Sequence, residues 1–409
     1  MKKRSFWFLG IVGFIIIVLS GCGGFGDLMK AELKMIAKDY QGAIPIYEEY
    51  LSENPASIDA HNKLGFAYLK TGKLDKSIKE FETVLKAEPG NPHAVLYLGM
   101  AYINKGRLKD AIITWQVFRD EEQPLVEEEI RRLLTLVQIA ESHRSAEKAI
   151  KEEAKLMTVK PDTDTVTVGY YQDLSPDKSL RAFQKGLASM VITDLSKIKS
   201  VKVVERLRLQ ALLQEMRLGL TGIVDARTAP RVGRLLGAEN MVVGNLTLGS
   251  IQATTSFVST STGKIRGSST VRVDDKMFYD LPIRIVRDFV KIKGIKLTPE
   301  ENKAIGIPHT KNYKAFICYG QALDALDEGK WQDAKDLFGK SIKEDPWFDL
   351  AADGSSLCPG ADAPGIDSLQ SMTIMDIATQ IETAISTAQG KQSESDAEAD
   401  AGAGGGGSY

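Results

Sequence analysis

Apolar residues change their period several times along the chain, and each change marks a different kind of element. Between residues 27 and 124 they fall at helical spacing in paired short segments, and the pattern returns after 34 residues. Leu64, Gly65, Tyr68, Gly72 and Phe81 recur as Leu98, Gly99, Tyr102, Gly106 and Trp115, and Ser77 recurs as Ala111. Small residues at Gly65, Gly99, Ser77 and Ala111 let paired helices cross closely, while the aromatic rings fill the space between them. Gly72 and Gly106 sit in the inter-helix turns, and Pro55 and Pro89 stop second helices. An earlier unit keeps Ala43, Tyr47 and Pro55 but lacks the Leu-Gly pair, as terminal repeats often do.

From Leu125 to Met157 the pattern predicts one long helix. Its first half is apolar enough to cap the repeats, and its Glu/Lys-rich second half reads as a solvated spacer ending at Pro161. The period then shifts to short Val-rich runs alternating with helical ones. Strands are expected at Val166–Tyr171, Val201–Glu205 and Asn240–Leu248, with helices at Leu180–Ile198, Arg206–Leu218 and Ala226–Leu236. This alternation predicts an α/β layer with helices packed on a sheet. Two Ser/Thr-rich runs, Ser250–Thr260 and Lys264–Val273, form a hairpin around Thr262-Gly263, and a helix carrying Leu281, Ile285, Phe289 and Val290 closes the domain.

Thr298-Pro299-Glu300-Glu301 is a helix start, with Thr as cap and Pro at the first position. Tyr313 to Trp347 carries one more repeat-like helix pair, with Gly329, Ala334 and Phe338 at the offsets of Gly106, Ala111 and Trp115. A lone pair cannot bury its own face, so it must dock on the α/β domain, on the first repeats or on a second copy. Ile366 to Ala388 has the spacing of an amphipathic helix, whereas Gln389 to Tyr409 has almost nothing to bury and reads as a disordered tail.

Six segments follow: a signal at 1–21, repeats at 22–124, a capping and linking helix at 125–160, the α/β domain at 161–294, a linker and helix pair at 295–350, and a largely disordered tail at 351–409. A net charge of −2 with 26% charged residues gives no global basic field for nucleic acid. Neither phosphate-binding glycine loop follows an early strand. An enzyme would have to use Asp173 or Asp194 with His143, and no triad, paired-carboxylate or metal spacing supports that; these carboxylates read as helix caps and surface charge. His61 and His93 lie on adjacent repeats without a Cys or carboxylate cluster, so no metal is expected. No catalytic residue, metal or cofactor is assigned.

Met1-Lys2-Lys3-Arg4, the apolar run Phe6–Leu19 and Leu19-Ser20-Gly21-Cys22 resemble a bacterial lipoprotein signal. The resemblance implies acylation of Cys22 as the mature N-terminus, and Gly23 after it favours the outer membrane in enteric-type sorting. The polypeptide would then lie in the periplasm or beyond the outer membrane, the periplasmic side being expected. An oxidising compartment permits a bridge between Cys318 and Cys358; the alternative is a small core residue and a free thiol in a loop.

The 34-residue period resembles the tetratricopeptide repeat. That resemblance places Asp59, Asn62, Phe66, Lys70, His93, Leu96, Met100 and Asn104 on a concave face, either as a groove for a protein or peptide or packed internally. Val201-Lys202-Val203-Val204-Glu205-Arg206, with Leu209, Leu212, Leu213, Glu215 and Leu236-Gly237-Ala238-Glu239-Asn240-Met241-Val242-Val243-Gly244-Asn245, is similar to the CsgG family and its TolB-amino-terminal-like relatives. The family's channel exports curli subunits through a pore of long hairpins and forms a ring; LpoB, a penicillin-binding-protein activator, has a related fold. The short Ser/Thr-rich hairpin here departs from the pore pattern. The resemblance thus implies a non-enzymatic, outer-membrane-anchored assembly factor in a secretion or surface-structure machine. The alternatives are a pore-forming channel, an LpoB-type activator of peptidoglycan synthesis and a flagellar outer-membrane component.

Overall fold

The computed structural model describes residues 23–217, 224–248, 250–361 and 363–403. Cys22 and the signal segment lie outside the described residues. The chain divides into two compact units, up to Ala101 and from Tyr102 onward.

The first unit is built from α1 (Gly23–Ile36), α2 (Tyr40–Glu53), α3 (Ile58–Lys70), α4 (Leu74–Ala87) and most of α5 (Pro92–Asn104), which crosses the division. Ala43, Tyr47, Ala60, Leu64, Ala67 and Tyr68 form its core. Gly65 is required there, because a Cβ would stand 2.9 Å from the Phe81 ring. The Ser77 hydroxyl donates to the Gly65 carbonyl at 2.8 Å and ties the two helices together. The turns between paired helices need a left-handed residue. Gly72 (φ +73) and Gly106 (φ +76) supply it, and Lys38 (φ 58) takes the same place, 34 residues earlier, in the atypical first repeat.

The second unit starts with α6 (Leu108–Trp115), α7 (Pro124–Lys151) and a single turn, α8 (Glu153–Leu156). The solvated spacer expected in the second half of α7 is corrected here: burial continues through Ser142, His143 and Ala146, because the helix over Arg206–Glu215 and the C-terminal helices introduced below pack along it.

The sheet follows: β1 (Asp162–Val168), β2 (Gln172–Asp173), α9 (Arg181–Ser196), β3 (Lys202–Val203), α10 (Arg206–Glu215), α11 (Ala229–Leu235), β4 (Ala238–Thr247), β5 (Ile251–Ser259), β6 (Ile265–Val273) and α12 (Asp280–Lys293). Strand order is β3-β1-β4-β5-β6, with β2 beside β4. β1 is parallel to β3 and β4, while β4, β5 and β6 run antiparallel. The hairpin turns at Gly263 (φ +69). Its hydroxyls have a local purpose: Ser259 and Ser261 donate to the buried Glu239 carboxylate at 2.7 and 2.9 Å.

The chain ends in α13 (Pro299–Ile305), α14 (Tyr313–Asp327), α15 (Trp331–Glu344), α16 (Asp349–Ser356), α17 (Ile366–Ser371) and α18 (Ile374–Ala403). Thr298 and Glu301 close a reciprocal capping box on α13. The amphipathic helix expected over Ile366–Ala388 is broken at Met372-Thr373, and the tail expected to be disordered from Gln389 is helical as far as Ala403, residues 404–409 lying outside the described residues. Ile377, Ala378, Ile381, Ile385 and Ala388 bury one face, and α18 lies along α7. The Gln392 side chain accepts from the Leu125 amide at 3.1 Å, satisfying one of the unpaired donors at the start of α7.

Candidate partner-binding site

In the first unit, α2, α3 and α5 carry a row of rings in edge and stacked contact. Phe66 meets Tyr40 with ring centroids at 5.8 Å and Tyr97 at 4.7 Å. His93 stacks on Tyr97 at 6.3 Å, and the Lys70 ammonium lies 5.3 Å from the Phe66 centroid. Tyr40, Phe66, Lys70 and Tyr97 are half-buried and His93 is exposed, so the row presents ring edges with a cation above one of them.

The expected groove positions divide. Phe66, Lys70 and His93 belong to this row. Asn62 donates to the Asn91 side chain at 3.3 Å, and its own Oδ1 is buried without a hydrogen-bond partner. Asp59 is exposed and pairs with Lys63 at 2.8 Å. Leu96 and Met100 are each 4% exposed, so their side chains offer a partner almost no surface, and Asn104 is exposed in the second unit. Tyr40 and Tyr97 were missed. Tyr97 stands 34 residues after Lys63, so the repeat register predicts a polar residue there; its aromatic character four residues after His93 was the available signal. His61 does not face His93: it contacts Glu80 at 2.6 Å and the Pro55 carbonyl at 3.1 Å.

In the second unit the C-terminal helix pair docks on the α/β domain, against α9. The contact is close: a Cβ on Gly186 would stand 2.9 Å from the Phe316 ring, and one on Gly320 would stand 1.9 Å from the Ala182 carbonyl oxygen. The Ser189 and Tyr319 hydroxyls hydrogen-bond at 2.7 Å. Beneath lies a buried charge network. Lys185 reaches Asp324 at 2.8 Å and Asp327 at 2.9 Å, and Arg206 reaches both Asp327 oxygens and, at 3.3 Å, the Tyr170 hydroxyl. Burial alone would raise the Asp327 carboxyl, but the Arg206 and Lys185 charges outweigh it and hold it below its ordinary range. Burial pushes the Tyr170 phenol up to about 12, Asp327 adding to the shift.

The carboxylates weighed for catalysis are spoken for structurally. Asp173 accepts from the Ser175 and Leu180 amides at 2.8 and 3.0 Å, capping the approach to α9. Asp194 is held by Lys197 at 2.7 Å and His309 at 3.0 Å. His143 lies instead 3.4 Å from Glu215, with burial holding its imidazole below the ordinary value. The bridge weighed between Cys318 and Cys358 is not formed. Both thiols are free, and Cys358 is buried, donating to the Trp331 carbonyl at 3.2 Å. Among the described residues no cluster of His, Cys, Asp or Glu fits a metal ion, and no helix is long and apolar enough to cross a membrane.

Residues 142–286 match the family model of the curli production assembly/transport component CsgG. Residues 34–89 and 72–134 match the tetratricopeptide repeat. The chain therefore carries a CsgG domain and tetratricopeptide repeats. No curated protein matches it. Among solved structures it is similar to a tetratricopeptide repeat protein from Parabacteroides merdae, at 10% identity and TM-score 0.27 over 80% of this chain and 98% of that one. Yeast Tom70 is similar at 14% identity and TM-score 0.27, over 90% and 76%. The two families are not enzyme families; they suggest protein–protein interaction in envelope or curli-related processes.

Proposed function

We propose that this protein is a non-enzymatic lipoprotein held at the outer membrane through Cys22, facing the periplasm, whose repeats recruit a partner for assembly or secretion of a surface structure. The observation that carries the reading is the half-buried row Tyr40–Phe66–Tyr97 with Lys70 over Phe66. Ring edges beside a cation suit an extended protein segment that presents apolar and acidic side chains. The CsgG domain is the part that joins the larger machine or self-associates, as members of its oligomeric family do. The pore alternative draws no support from the β5–β6 hairpin, whose nine-residue strands are paired in the sheet and whose Ser259 and Ser261 hydroxyls are tied to Glu239.

The test is photocrosslinking in living cells from position 93, comparing the wild type with Phe66→Ala/Lys70→Glu and with Cys22→Ala. A discrete envelope protein that is captured by the wild type and lost from the groove variant supports the reading. Identical capture by all three removes the groove and the anchor from the function.

A further inference from the structure

The outward face of α1 is apolar where a terminal repeat needs a polar one for solubility. Met29, Leu33 and Ile36 are 54%, 60% and 74% exposed. Their spacing of four and three puts them on one stripe of the helix. The opposite stripe is already committed: Ala31 is fully buried, with Leu28 and Met35 packed against the same core. On one flank of the outward stripe stand Lys30 and Lys34, and Lys34 is held to Asp39 at 2.7 Å. An apolar stripe edged by lysines is the design of a helix that lies in the plane of a bilayer surface.

The place of α1 in the chain identifies its occupant: Met29 follows Cys22 of Leu19-Ser20-Gly21-Cys22 by only seven residues. Even fully extended, seven residues span no more than about 25 Å. The acyl chains would hold the stripe within reach of the headgroups. We propose that α1 is a second membrane anchor, seated on the phospholipid surface through Met29, Leu33 and Ile36, which fixes how the repeats stand on the membrane. This rests on the acylation of Cys22 read above.

The test uses the full-length acylated protein with Cys318→Ala and Cys358→Ala, carrying an environment-sensitive fluorophore at Leu33→Cys or, as control, at Glu49→Cys on α2. It is reconstituted into phosphatidylethanolamine/phosphatidylglycerol vesicles with and without brominated phospholipid. The expected result is a blue-shifted Leu33 label quenched by the brominated lipid and a Glu49 label left unquenched. An unquenched Leu33 label, or equal quenching at both positions, overturns the proposal. So does energy transfer between Leu33 labels that persists without lipid, which assigns the stripe to a second copy. Palmitate incorporation is measured on the same preparation. If it is absent the Cys22 reading fails on its own, and vesicles added to the same labelled protein carrying Cys22→Ala still decide the α1 face by the same quenching.

Discussion

Arg206 and Asp327 form a buried ion pair in the second unit: one guanidinium nitrogen stands 2.6 and 2.7 Å from the two carboxylate oxygens, with the Asp327 side chain only 2% exposed. Asp327→Ala leaves Arg206 and Lys185 facing each other in a buried site without their shared counter-charge. The expected cost is about 3–5 kcal/mol of stability, read by denaturant unfolding. Replacing Lys185, Arg206 and Asp327 together by apolar residues of similar volume should lose far less. If the single and triple variants unfold alike, the network is not what holds α14 in place.

Gly320→Ala puts a methyl group onto the backbone of α9, which has no side-chain freedom to yield. It should destabilise by about 1–3 kcal/mol and speed proteolysis of the linker between α12 and α14. Gly339→Ala is the matched control, because nothing lies within 4 Å of its Cβ position on α15. There the gain in helix propensity should stabilise by up to about 1 kcal/mol.

Lys38 carries the left-handed conformation that Gly72 and Gly106 carry in the later repeats. Lys38→Gly should raise the stability of the first unit by about 1 kcal/mol, since the strain of a Cβ in that region disappears. Gly72→Ala should lower it by a similar amount. Thermal melting of both variants checks the pair of signs.

Burial lowers the His143 imidazole below its ordinary 6.5, and the Glu215 contact only partly offsets this. The unfolded chain therefore binds a proton at higher pH than the folded one. Stability from this residue is full above about 6.5 and is lost as pH falls through the folded value. Denaturant unfolding between pH 7.5 and pH 5 should show that decline, and His143→Gln should flatten it.

Much of the architecture was legible from spacing. The 34-residue register located the helix pairs, their glycine turns and the aromatic fillers, and the alternation after Pro161 located the strands. What escaped was the second use of elements already found. The helix over Leu180–Ile198 was expected to pack on the sheet, while Ala182, Gly186 and Ser189 along it went unread. Those small residues are the seam where α14 crosses, a signal that gains meaning only beside Gly320. Likewise Lys185 and Asp327 look like ordinary surface charge until the fold buries them against each other. The tail misled for another reason. From Gln389 onward its polar composition pointed to disorder, but it continues the helix that Ile377, Ile381 and Ile385 seat on α7, and its Gln392 is buried against the start of α7. The aromatic row was half legible: Phe66 and His93 were placed by resemblance, whereas Tyr97 breaks the repeat register.

The docking of α14 on α9 also means that the reach of a sequence family and the reach of a cooperative fold differ in this chain. The CsgG match stops at residue 286, yet the counter-ions for Lys185 and Arg206 arrive some forty residues later. A gene fragment trimmed to the match would encode a polypeptide with two stranded cations and a bare helix crossing, and its purification as a well-behaved species is not to be expected. Insertions and exchanges between relatives should therefore be resisted anywhere that separates α9 from α14.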